Sequence, residues 1–308
     1  MAHSTTYPAP DIASLNIRIA YRDEHPSEEL CGAAERSVGA LVLRHMEATR
    51  LRREAEAVID EAAVAYAAPA TRLVEPDPAA AEVLRTARLL DGSTDSFDRY
   101  ATLEPTVPEA PAWARQIPPY HYTWSWHDTN GYAPYGVVTT LSSGALGLDA
   151  RSGSLPGGKS GFVNAHAGFG LAVTTDHEVM ARGVSFRQMR YSYTLAAAGT
   201  GGNATSEGGM EFTAFEDGNL IGATDLNLDK LWRSRVSTTL FDPYESDSGG
   251  QGPYAVDRPL DLYFRMRPGH GYTFNVGGWV ASDYHSGAGQ AGAQAFMQGA
   301  VLALTVWK

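Results

Sequence analysis

The chain has 308 residues, a hydrophobic content of 44% and a formal net charge of −11, which allows a sizeable core in one large or two modest domains and excludes a disordered chain. Acidity is concentrated at the front: residues 1–110 carry 11 basic against 19 acidic side chains, and residues 111–308 carry 13 against 16. No dense basic stripe offers a footprint for phosphate backbones, so nucleic acid is not an expected partner.

Residues 1–25 read as an N-terminal arm. MAHSTTYPAPDIASLNI lacks the basic start and apolar run of a secretory signal. No stretch approaches the ~18 continuous apolar residues of a spanning helix, so a soluble, cytoplasmic protein is expected. The single cysteine, Cys31, excludes an intrachain disulfide framework and a thiolate metal cluster, and reads as a small buried hydrophobe.

From Pro26 to Tyr66 only Gly32 and Gly39 interrupt a run without further proline. Leu30, Ala34, Val38, Leu41, Val42, Ala48, Leu51, Ala55, Val58, Ile59 and Ala62 recur at three- and four-residue steps, predicting one long helix or two separated by a kink. At ~1.5 Å per residue such a helix reaches ~60 Å. That exceeds what one domain covers, so part of it is expected to pack against another chain or along the second domain. A heptad frame through Ala34, Val38, Leu41, His45, Ala48, Arg52, Ala55 and Ile59 puts His45 and Arg52 in the seam, which argues against a regular coiled coil. A shorter helix is punctuated by Asp77 as N-cap, Pro78, the run AAAEVLRTARLL and an Asp91-Gly92 stop. Residues 26–92 thus form a helical segment and 93–119 a proline-rich linker.

Beyond Pro119 the period becomes two. Strands are expected at 120–127, 135–141, 162–174, 184–197, 210–215, 220–225, 231–240, 260–267, 272–282 and 295–307, separated by turn-forming clusters such as Glu216-Asp217-Gly218-Asn219. The fold class is α+β: an N-terminal helical segment, one long helix plus a shorter one, followed by a large antiparallel β-sandwich or jelly-roll-like domain over 120–308.

In YHYTWSWH, alternation puts Tyr120, Tyr122, Trp124 and Trp126 on one strand face. They are either core or an exposed stacking ladder for a ligand such as a sugar. His121 and His127 share the other face but lie ~20 Å apart, too far for one metal ion. Each could pair with a distant histidine such as His166 or His285, but no ligand spacing is legible, so neither metal nor cofactor is expected.

Gly153-Ser154-Leu155-Pro156-Gly157-Gly158-Lys159-Ser160 resembles the Walker A motif of P-loop nucleotide-binding proteins. That resemblance implies phosphate cradling by the loop around Gly153 and Gly158, with Lys159 on the terminal phosphates and Ser160 on Mg²⁺. The chemistry needs a preceding buried parallel strand and a following helix. GFVNAHAGFGLAVTTD reads instead as a strand, and LSSGALGLDARSG as a polar loop, so a glycine-rich hairpin turn is the expectation. Asp247-Ser248-Gly249-Gly250 resembles the nucleophile region of chymotrypsin-like serine proteases, but Ser246 stands where that family has glycine. The carboxylate pairs Asp225/Asp229 and Asp257/Asp261 read as solvated turn residues.

With no convincing catalytic constellation, the leading expectation is a non-catalytic interaction or assembly protein, docking through its long helix to a protein partner or to itself. The alternatives are a membrane-active, pore-forming β-rich protein built on 135–165 and 191–215, a nucleotide-binding enzyme using Lys159, and a carbohydrate-binding sandwich using Trp124 and Trp126.

Overall fold

Ser27 starts the helix. Its Oγ accepts a hydrogen bond from the Leu30 amide at 3.2 Å, and Glu28 and Glu29 in the first turn favour the positive end of the helix dipole. Helix α1 then runs Glu28–Ala67 without a break, one helix rather than two. The computed structural model describes residues 16–67, 114–130, 135–153, 160–176, 178–224, 230–251 and 260–307. The shorter helix expected around 77–92, and most of the 93–119 linker, lie outside the described residues.

The strands in chain order are β1 (Ile17–Tyr21), β2 (Ala114–Gln116), β3 (Tyr122–Asn130), β4 (Tyr135–Thr140), β5 (Ala145–Gly153), β6 (Ser160–Thr174), β7 (Val179–Ala198), β8 (Asn203–Glu216), β9 (Asn219–Ala223), β10 (Lys230–Ser237), β11 (Tyr244–Gln251), β12 (Leu260–Met266), β13 (Gly271–His285) and β14 (Gln290–Trp307). Among the described residues they form two seven-stranded antiparallel sheets. The first has the order β1-β3-β6-β13-β8-β10 with β9 also on β8; the second is β11-β7-β14-β5-β4, with β12 on β7 and β2 on β14.

The β8–β9 hairpin shows how local chemistry sets register. Asp217 and Gly218 both have positive φ, 50° and 85°, the geometry of a tight two-residue turn whose twist matches the flanking strands. Between the sheets lies an apolar layer that includes Leu146, Leu148, Phe169, Met210, Phe212, Phe274 and Met297, all fully or almost fully buried. The architecture is therefore an antiparallel β-sandwich with one helix among the described residues.

Four strands depart from the sequence expectation. Residues 17–21, assigned to an arm, form the edge strand β1 against Tyr122–Trp126, and residues 114–116 of the linker pair with β14. The polar-looking loop before the Walker-like motif is β5, whose Leu146, Leu148 and Ala150 are buried while Ala145, Asp149 and Arg151 are only partly so. The serine protease lookalike lies in β11, the edge strand beside β7.

Candidate functional site

Helix α1 lies on the outer face of the first sheet. Its buried face is Ala34, Ser37, Val38, Leu41, Val42 and His45, a run of three- and four-residue steps, and it covers Tyr122, Trp124, Trp126 and Phe215. Cross-strand register explains how large rings fit there. One row reads Ile19, Trp124, Gly168, Gly277, Glu211 and the next Tyr21, Tyr122, Gly170, Asn275, Thr213. The glycines leave slots: a Cβ on Gly168 would meet the Trp124 ring at 2.6 Å, and one on Gly170 would meet the Tyr122 ring at 1.9 Å.

The adjoining row, Ile17, Trp126, His166, Trp279 and Gly209, sets His166 of β6 beside the indoles of Trp126 and Trp279, with centroids at 4.5 and 6.3 Å. His45 of α1 packs edge-on to His166 at 4.3 Å. Glu211, one pleat away on β8, completes a cluster drawn from three elements. His45 Nε2 and Glu211 Oε2 are 2.5 Å apart, whereas His166 Nδ1 and Glu211 Oε1 stand 3.7 Å apart, beyond hydrogen-bond reach. Both of these atoms are buried and lack a hydrogen-bond partner among the described residues.

Burial, reinforced by His45, lowers the His166 imidazole to about 4, so it is neutral at ordinary pH and keeps a free lone pair. Burial pushes the Glu211 carboxyl upward, but His45 and His166 together outweigh it and hold the group well below the usual carboxylate range. Glu207, four residues earlier on the same strand face and fully buried, has a different setting. Its carboxylate is 2.8 Å from the Lys230 ammonium and 3.9 Å from the Arg233 guanidinium. One buried carboxylate is thus matched by fixed cations, the other by two imidazoles.

The candidates expected from the sequence divide accordingly. Tyr122, Trp124 and Trp126 share the outer face but are at most 2% exposed, so no ring face is open to a stacking sugar in this arrangement. Tyr120 does not join them. It precedes the strand, turns into the layer between the sheets beside Phe169 and donates its hydroxyl to the Val301 carbonyl at 3.1 Å. His121 accepts the Ala172 amide on Nδ1, His127 stacks on Tyr135, and His285 bonds the Ser160 hydroxyl, so His166 pairs with none of them.

Of the Walker-like residues, Gly153 closes β5 and Ser160 opens β6, while Gly158 and Lys159 lie outside the described residues. The segment joins the two sheets rather than forming a hairpin, because β5 pairs with β4 and β14 and β6 with β3 and β13. The strand before it is antiparallel and a strand follows it, so no helix N-terminus opens at Ser160. Asp247 accepts the Ser234 hydroxyl, and Asp261 is bridged by Arg182 at 2.9 Å. Asp225, Asp229 and Asp257 lie outside the described residues. No described helix is long and apolar enough to cross a membrane.

The histidine–glutamate cluster was not anticipated, although His45 in an apolar helical seam was the visible trace of it. No protein-family model matches the chain, and no curated protein matches it. Among solved structures, a chain titled "Structure of infectious bursal disease virus Gx strain" is 9% identical over 56% of this chain and 43% of that chain. Its TM-score of 0.11 carries no argument about fold or function.

Proposed function

We propose that the protein is a non-catalytic assembly protein in which the sandwich holds one half of α1 and presents the other half to a second copy of the chain. The observation that carries this reading is the change of environment at His45. Before it, the helix buries Ala34, Val38, Leu41 and Val42; after it, no described side chain is buried, and Met46 and Leu51 are 37% and 53% exposed. The helix continues to Ala67, roughly 33 Å beyond His45 at ~1.5 Å per residue, and the reading takes that length as the surface offered to the second copy.

The sequence of that extension suits its own copy. Arg50, Arg52 and Arg53 are followed by Glu54, Glu56, Asp60 and Glu61. Two such segments laid antiparallel set the basic block of one beside the acidic block of the other, a self-complementary two-fold arrangement. Light scattering on the eluted protein tests it. A dimer is expected that weakens with added salt and with Leu51→Glu; a monomer at every concentration and ionic strength contradicts the reading.

A further inference from the structure

The buried cluster has a geometry that its role as a packing contact leaves unexplained. Two imidazoles and a carboxylate converge from α1, β6 and β8, and one ligand atom from each lies within 4.8 Å of the others. Where Glu207 meets a lysine and an arginine, the ionisable groups that meet Glu211 among the described residues are two imidazoles, each able to give up a lone pair. Two of those atoms, His166 Nδ1 and Glu211 Oε1, face each other across 3.7 Å with neither satisfied. Buried polar atoms are rarely left so, and the usual remedies are a water or an ion.

We propose that His45, His166 and Glu211 bind one divalent transition-metal ion of the zinc class, which ties α1 to the outer face of the first sheet. Two nitrogens and one carboxylate oxygen suit zinc, cobalt or iron(II), and disfavour calcium and magnesium, which want an all-oxygen shell. Tetrahedral bonds of ~2.0–2.1 Å place ligand atoms ~3.3 Å apart. The observed separations, from 2.5 Å up to no more than 4.8 Å, straddle that value, so small side-chain rotations close the shell.

As the ion enters, His45 Nε2 and Glu211 Oε2 exchange their mutual hydrogen bond for bonds to the metal, and the proton of that bond is released to solvent. A fourth position falls to water, since no further His, Cys, Asp or Glu joins the group among the described residues. The indoles of Trp126 and Trp279 flank the centre, and α1 covers it. An ion therefore reaches the site only when the helix lifts, and once bound it holds the helix down. The proposal is independent of self-association, because the ligands precede the extending half of α1.

The test loads chelator-treated, folded full-length protein with Co(II) alone. One equivalent is expected to bind slowly, give a ligand-field absorption band of tetrahedral intensity, be displaced by Zn(II) and raise Tm. Glu211→Gln, which keeps a hydrogen-bond acceptor for His45, is expected to lose at least the ~10–100-fold in affinity that even an outer-shell partner supplies. His166→Asn serves the same purpose should the first variant not fold. Absence of bound cobalt in the folded wild type overturns the proposal, as does binding that Glu211→Gln and His166→Asn both leave unchanged.

Discussion

The two faces of the first sheet bury comparable aromatic bulk in different company. Facing the second sheet, Phe169, Phe212 and Phe274 lie among leucine, methionine and valine. Facing α1, Tyr122 bonds Asn275, Trp124 shares the buried layer with it, and Trp126 lies beside His45 and His166, which meet the Glu211 carboxylate. Burying ionisable groups costs free energy that apolar packing avoids. The inner layer therefore explains why the sandwich exists, and the outer layer explains how one helix is held in one register upon it.

The largest expected effect comes from emptying either layer. Trp124→Ala and Phe274→Ala should each cost about 3–5 kcal/mol in denaturant titrations. They should differ in kind: Trp124→Ala loses helical signal before the sheets melt, whereas Phe274→Ala loses both together. Coincident loss in Trp124→Ala would erase the distinction between the layers.

Removing one member of the buried pair comes next. His45→Leu strands the Glu211 carboxylate and should cost about 3 kcal/mol, while the double variant His45→Leu/Glu211→Leu should recover part of that loss. Additive destabilisation in the double-mutant cycle would show that the two side chains do not act as a pair. A smaller loss, about 1–3 kcal/mol, is expected for Gly170→Ala, whose new methyl must displace the Tyr122 ring. Unchanged thermal stability of that variant would mean the ring slot is not filled as described.

The smallest effect is a pH dependence at the rim. Burial, with Arg22 adding to it, lowers the His121 pKa, and Nδ1 accepts the Ala172 amide only while unprotonated. The unfolded chain therefore takes up the proton first, near the ordinary value of about 6.5. Stability from this group is present above that value and is lost as pH falls through it toward the lower folded pKa. His121→Asn should flatten the slope of unfolding free energy between about pH 7 and pH 5. An identical slope would show that His121 contributes nothing to it.

Much of this architecture was readable because periodicity is a local property. Three- and four-residue spacing without proline marked α1 almost to its ends, and alternation marked the long strands of both sheets. β5 carries the same alternation in Leu146, Leu148 and Ala150, but its glycines and charges made the stretch read as a polar loop. β11 was obscured by the turn-like composition of Asp247–Gly250, and β1 by its brevity. The cluster was legible only in fragments. His45, His166 and Glu211 are far apart in the chain, and the register that sets Trp126, His166, Trp279 and Gly209 in one row is a property of four paired strands. Tyr120 shows the converse limit, since alternation extrapolated one step beyond the strand put it on the wrong face.

Native-state hydrogen exchange along α1 tests the central division of the molecule most directly. Amides of residues 34–45 should exchange only through opening events close in free energy to global unfolding, at any protein concentration. Those of residues 46–67 should exchange faster in dilute solution and gain protection as concentration rises. Uniform protection along the whole helix, independent of concentration, would contradict an α1 that is docked before His45 and offered to a partner beyond it.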